Sequence, residues 1–237
     1  MAKTEHYYTQ FCNDNFYHIY NRTVDRKPLF ANDGNYKFFL KQYDNYLSDV
    51  IDTYAYCLLG NHFHLLVRVR SEADLTTFAG TDLSTFKKLT NLNTNTADET
   101  FKKLSNLNAP KQPKTAHQIV SHQFRKFFQS YAMAFNKQQD RTGTLFQTPF
   151  KRALVDSEKY FAQLVYYIHA NPQLHGLTGD FKQWAWSSYT SMLADKPTKL
   201  KKQEVLEWFG SANSYRQYHA ENQKLTGDDK LFLEDEI

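Results

Sequence analysis

Apolar and polar positions along the chain alternate between two periods, and the switches mark the elements. Phe16-Tyr-His-Ile-Tyr-Asn-Arg22 is aromatic and ends at polar residues, which predicts a first strand. Tyr36, Phe39, Leu40, Tyr43 and Leu47 recur at helical spacing behind Asn32-Asp33, which predicts a helix with its start at that pair. Residues 53–59 and 62–70 read as two strands joined by a tight Gly60-Asn61 turn, hence an antiparallel hairpin. Ile119, Phe124, Phe127, Phe128, Tyr131 and Phe135 form one broad apolar side of a long helix over 115–136. A turn at 140–143 leads to a strand over 150–155, and Asp156-Ser157 caps a helix over 158–170. Pro172 biases Asn171 away from helical geometry and sets that helix's end near it.

Residues 71–114 break the pattern. Phe86-Lys-Lys-Leu-Thr-Asn-Leu-Asn93 recurs as Phe101-Lys-Lys-Leu-Ser-Asn-Leu-Asn108, a two-copy echo too short for a solenoid. Rich in Asn, Thr and Lys, the segment reads as an insertion, partly helical and partly flexible, over a strand connection. The order strand, helix, hairpin, insertion, helix, strand, helix predicts an α+β domain of ferredoxin-like (RRM-like) plan, with an antiparallel sheet and helices packed on one face. Residues 1–190 form this domain and 191–237 a helical C-terminal extension.

Composition narrows the class. The 237 residues are 41% hydrophobic and 16% aromatic, enough for a real core. Aromatics fill cores, but they also stack on unpaired bases. A net charge of +4 permits a nucleic-acid partner without requiring one. Cys12 and Cys57 make neither a disulfide framework nor a metal knuckle and read as small core residues in a reducing compartment. The first ten residues lack the apolar centre of a signal peptide, and no apolar run approaches a membrane span, so a cytoplasmic protein is expected.

Two constellations carry chemistry. In Asn61-His-Phe-His-Leu-Leu-Val67, strand parity puts His62 and His64 on one face, roughly 6–7 Å apart at the backbone, with Phe63 turned into a core. Two imidazoles on one rigid face suit one divalent metal ion, although such a pair alone is more often structural. In Tyr167-Ile-His-Ala-Asn-Pro172, Tyr167 and Asn171 lie one helical turn apart on the same face. Asn171 is placed to offer a third, oxygen ligand, or simply to cap the helix end. Tyr167 is a nucleophile candidate that needs activation, since a free phenol is protonated at neutral pH. Tyr131 and Tyr160 are rival phenols, and Tyr166 points about 100° away, toward core. His169 faces elsewhere and reads as solvated or DNA-side. Arg22, Arg68, Arg70, Arg141, Lys151 and Arg152 are candidate phosphate contacts, with Arg68 and Arg70 on the histidine face by parity. Trp184 and Trp186 read as core.

Five segments recur in a recognisable order: Tyr17-His-Ile-Tyr-Asn-Arg22; Ala55-Tyr56-Cys57 leading to Asn61-His-Phe-His-Leu-Leu66; Gly143-Thr-Leu-Phe-Gln147 with Phe150-Lys151; Tyr167-Ile-His-Ala-Asn-Pro172; and Trp186-Ser-Ser-Tyr189. Together they resemble the single-tyrosine HUH transposases of insertion sequences, and the last two are most similar to the REP-associated tyrosine transposase branch. The resemblance runs from about residue 14 to 190, outside the insertion. It implies a ferredoxin-like fold, Mg²⁺ or Mn²⁺ dependence, single-stranded DNA substrates with foldback hairpins, and cleavage through a 5′-phosphotyrosine that leaves a free 3′-OH. It makes His62 and His64 metal ligands, Tyr167 the nucleophile and Asn171 the third ligand. Gly60 departs from it, since relatives often carry proline there. The resemblance leaves open a monomer or a homodimer, and a site completed in its own chain or by a partner. Rival readings are a domesticated hairpin-binding regulator without turnover and a replication-initiator or relaxase-type nickase.

Overall fold

A computed structural model describes residues 8–91 and 113–225. Four strands form one antiparallel sheet in the order β2-β3-β1-β4: β1 Phe16–Arg22, β2 Ile51–Leu58, β3 His62–Val69 and β4 Lys151–Val155. The helices are α1 Asp33–Leu47, α2 Glu72–Asn91, α3 Ala116–Gln138, α4 Glu158–Leu174, α5 Tyr189–Leu193, α6 Lys202–Trp208 and α7 Ala212–Leu225. This is the expected α+β, ferredoxin-like order, with α2 added between β3 and α3. The echo at 86–108 lies mostly outside the described residues.

Local chemistry starts the helices where the sequence predicts. Asn32 caps α1 reciprocally with Asn35, and Thr115 caps α3 with Gln118, each side chain satisfying the other's backbone N–H. Ser157 accepts from the Tyr160 N–H at the start of α4. The end of α4 differs from expectation: the helix passes through Pro172 and stops at Leu174. A proline this close to the C-terminus costs one backbone bond near an end that is frayed anyway. The chain closes off behind it, with the N–H of His175 donating to the Asn171 carbonyl and that of Leu177 to the Pro172 carbonyl.

The helices cover both faces of the sheet, not one as expected. On one face Tyr17 and Ile19 of β1 and Phe63, Leu65, Val67 and Val69 of β3 meet Phe39 of α1 and Phe124, Phe127 and Tyr131 of α3. On the other, Tyr54, Ala55, Cys57 and Leu66 meet Phe161, Leu164, Val165 and Ile168 of α4, joined by Phe181, Tyr189, Val205 and Tyr215 of the C-terminal segment. The physical reason is that the hairpin carries an apolar patch of Tyr54, Ala55, Cys57 and Leu66 on its second face too, so that face also needs a cover. A register shift between Thr53 and Ala55 rotates β2 so that its second half feeds this second core. The C-terminal segment also covers the outer edge of β2: Leu58 N–H donates to Trp186 O, Ser188 N–H to Tyr56 O and Lys201 N–H to Thr53 O. Trp186 stacks on Tyr36 with centroids 4.4 Å apart, and Trp184 Nε1 donates to Leu58 O, so both serve packing as expected. Cys57 is buried as expected, whereas Cys12 is exposed. Among the described residues no helix is long and apolar enough to cross a membrane.

Candidate active site

The strand side of the site follows from the pleat. Phe63 is fully buried against α1 and α3, which forces His62 and His64 onto the α4 face. Their rings lie 5.3 Å apart, centroid to centroid, with planes at 85°. Neighbours engage the Nδ1 edge of each ring. His62 Nδ1 is 2.6 Å from Oδ1 of Asn61, and His64 Nδ1 is 3.0 Å from Nε2 of His18 in β1. In both rings this leaves the buried Nε2 as the nitrogen suited to a metal.

The helix side is a single stripe of α4. Tyr167, Asn171 and His175 succeed one another at intervals of one turn. The Tyr167 ring stands edge-on to His64 at 5.5 Å and to His18 at 6.1 Å. Asn171 Nδ2 donates to the Tyr167 carbonyl at 3.3 Å. A carbonyl only accepts, so this contact decides the amide orientation and leaves Oδ1 at the other end. That oxygen is buried without a hydrogen-bond partner. Asn171 is therefore not the helix cap; His175 is. The His175 ring lies 4.9 Å from that of His62, at the exposed mouth of the site.

A metal ion fits this donor set. Two imidazoles that share an ion at ordinary bond lengths have ring centroids about 5 Å apart. A buried amide oxygen without a partner costs about 1–3 kcal/mol unless something pairs with it, and a cation would. Among the described residues no three His, Cys, Asp or Glu side chains form a metal-holding group. The set here reaches three donors only with an amide, a neutral N₂O arrangement that leaves the ion its charge and open positions.

No family model and no curated protein matches the chain. Among solved structures it is similar to a REP-associated tyrosine transposase bound to a REP hairpin, with 13% identity over 80% of this chain and 86% of that one, and a TM-score of 0.52. The chain has that transposase's fold. The resemblance read from five short motifs is borne out at the level of fold.

On this fold the six candidate cations separate. Lys151 lies over the Tyr20 ring at 5.6 Å, and Tyr20 stacks on His64, so Lys151 borders the site. Arg22 pairs with His62 in the strand register and borders it too. Arg68 shares the histidine face but lies at the far end of β3, bound to Asp52 at 3.0 Å and Glu204 at 3.5 Å. Arg70 is paired with Asp52 and Arg141 with Asp25. Arg152 points to the opposite face, where it donates to the carbonyls of Thr9 and Tyr8 and stacks over Phe11 and Phe150.

The rival phenol Tyr131 is on the wrong side of the sheet, fully buried, with its hydroxyl donating to Leu29 O; burial pushes its pKa well up. His169 corrects an expectation. It does face away from the site, but it is fully buried, in a cluster with Ser188, Tyr215 and His219. Sequence reasoning missed His18 and His175 as site neighbours. Signals for both were present: His18 and Tyr20 share one face of β1, and His175 continues the Tyr167–Asn171 stripe by one turn.

Proposed function

We propose that this chain is a REP-associated type of HUH transposase: a metal-dependent endonuclease and strand transferase that cuts single-stranded DNA near foldback hairpins through Tyr167. The observation that carries the reading is the meeting of two distant segments, β3 and α4. The Tyr167 ring stands edge-on to His64, and the buried, unpartnered Oδ1 of Asn171 lies one turn along the same helix stripe, which supports a site built from these groups. The fold likeness to a hairpin-bound transposase supports it independently.

In this reading His62, His64 and Asn171 hold a divalent cation, Mg²⁺ or Mn²⁺. When bound, such an ion supplies polarisation of the scissile phosphate and stabilises charge on the departing oxygen. Tyr167, held by its helix beside His64, presents its oxygen to phosphorus. The new phenol–phosphorus bond forms, the bond from phosphorus to the 3′-oxygen breaks, and the phenol's proton is matched by the one the released 3′-hydroxyl gains. The 5′-phosphotyrosine keeps the phosphodiester's energy, so the 3′-hydroxyl of another strand can reverse the step without ATP. Arg22 and Lys151 flank the site and steady the strand's phosphates. The nearness of Tyr167 to His64 within one chain supports a site that works in cis.

The test uses hairpin-bearing single strands from the DNA that flanks this gene. With Mn²⁺ the protein is expected to form a covalent adduct that survives denaturing electrophoresis, and Tyr167→Phe to form none while binding the same strand within about threefold. An adduct with Tyr167→Phe overturns the nucleophile assignment. A retained complex with no cut strand makes the chain a hairpin-binding regulator instead.

A further inference from the structure

We infer that His18 is a positioning residue: it fixes His64 in the tautomer and orientation that present Nε2 to a metal. The inference rests on the reading of His62 and His64 as the metal pair, and deepens it. His18 and His64 are on adjacent strands, offset diagonally, with β1 and β3 paired so that Tyr20 is opposite His64 and His18 opposite Leu66. The two imidazoles are nearly parallel, 5.2 Å apart at 22°, and joined from His18 Nε2 to His64 Nδ1 at 3.0 Å. His18 is 6% exposed and His64 fully buried, so water does not compete for that contact.

Proton counting between two neutral rings gives two options. Either His64 Nδ1–H donates to His18 Nε2, or His18 Nε2–H donates to His64 Nδ1. Only the first leaves His64 Nε2 with a lone pair for a metal. It also puts the His18 proton on Nδ1. Metal-ligating histidines usually donate their other N–H to a carboxylate or carbonyl, and here a second imidazole takes that place. The pattern repeats one ligand away, where the acceptor of the His62 Nδ1–H is the side-chain oxygen of Asn61, 2.6 Å off. The two acceptors turn the same edge of each ring away from the metal side. Tyr20, stacked on His18 at 4.8 Å and on His64 at 5.6 Å, holds the arrangement flat.

The experiment measures metal binding, not turnover. Mn²⁺ affinity is read by calorimetry on the full chain for wild type, His64→Ala, His18→Leu and His18→Gln, with thermal unfolding in chelator as the folding check. His18→Leu is expected to weaken Mn²⁺ binding about 10–100-fold. His18→Gln keeps an acceptor oxygen and is expected to stay within a few-fold of wild type. Nitrogen-15 imidazole spectra of the metal-free protein should show His64 protonated at Nδ1, and mixed tautomers in His18→Leu. Wild-type affinity in a folded His18→Leu overturns the inference, as does a wild-type His64 protonated at Nε2. If His64→Ala also binds Mn²⁺ like wild type, it is the metal-pair reading that fails. Should His18→Leu not fold, His18→Gln and the wild-type tautomer decide: affinity within a few-fold and protonation at Nδ1 uphold the assignment, and the opposite result in either overturns it.

Discussion

The ring of Tyr167 meets that of His64 edge-on, 5.5 Å apart, across the gap between a helix and the second of four strands in the sheet. Neither side chain is placed by its own element alone. His64 faces α4 because Phe63 is committed to the opposite core, and Tyr167 faces the sheet because Leu164 and Ile168 bury the rest of that helix surface. The pair is thus set by packing on both sides of one sheet. In the proposed role, that placement would hold Tyr167 still without spending a loop on it.

Tyrosine substitutions should separate chemistry from packing. Tyr167→Phe removes one hydroxyl from a nearly buried ring and is expected to abolish the covalent DNA adduct with little change in stability. Tyr131→Phe is expected to do the reverse. It loses a buried hydrogen bond to Leu29 O, at a cost of about 1 kcal/mol, and leaves adduct formation intact. Denaturant unfolding and an adduct gel on the two variants check both halves.

Asn171 carries a stability cost that its proposed role explains. Its Oδ1 is buried and unpaired, so Asn171→Leu, of similar size, should leave the chelator-treated protein at least as stable as wild type. The same change should lower Mn²⁺ affinity at least tenfold. His169→Leu is the contrast: it strips partners from His219 and Ser188 and is expected to cost about 2–3 kcal/mol. A large destabilisation by Asn171→Leu in chelator would mean that the amide is structural.

What was legible in the sequence is what local rules determine. The parity of His62-Phe63-His64 put the imidazoles on one face, the four-residue step put Tyr167 above Asn171, and the caps at Asn32, Thr115 and Ser157 opened their helices where expected. What was not legible needed a second segment to decide it. The second helical layer depends on Tyr54, Ala55 and Cys57 of β2 and Leu66 of β3 giving the histidine face an apolar patch. Proline at 172 was tolerated because the residues after it supply N–H donors to the carbonyls of the last turn. His18 gains meaning only when β1 pairs beside β3, and His169, polar and flanked by site residues, is buried only because α7 brings His219 against it. Arg152 was grouped with Lys151 by sequence alone, yet one position along a strand reverses the face.

That reversal can be tested with DNA. Lys151→Ala removes a cation beside the site and is expected to weaken single-strand binding several-fold, and to reduce the slope of log affinity against log salt by about 0.7. Arg152→Ala should leave that slope unchanged. Instead it should lower stability by about 1–2 kcal/mol, because its guanidinium holds the carbonyls of Tyr8 and Thr9. Filter binding over a salt series, with unfolding curves for both variants, distinguishes the two roles.

The buried pair of His169 on α4 and His219 on α7 should make the fold acid-sensitive. His219 Nδ1 is 2.8 Å from the Tyr215 carbonyl and must donate to it, so a neutral His219 accepts at Nε2. His169 Nδ1, 3.0 Å away, supplies that proton, and its Nε2 then accepts from the Ser188 hydroxyl at 2.8 Å. Both rings are satisfied while neutral, and it is their burial that opposes an added proton. Tyr215, Tyr189 and Tyr166 surround the pair with no carboxylate contact among the described residues, and Lys182 adds a repulsive charge. Burial above all holds His219 down to about 4 and His169 well below its usual range. The folded state therefore resists protons that the unfolded chain takes up near pH 6.5, and stability falls as pH drops from there toward 4. His219 alone accounts for about 3 kcal/mol across that window. His219→Gln keeps an acceptor for His169 and removes one titrating ring, so its unfolding free energy should fall less steeply between pH 7 and pH 4.5. Parallel curves for wild type and His219→Gln would mean that this ring is not what responds to acid.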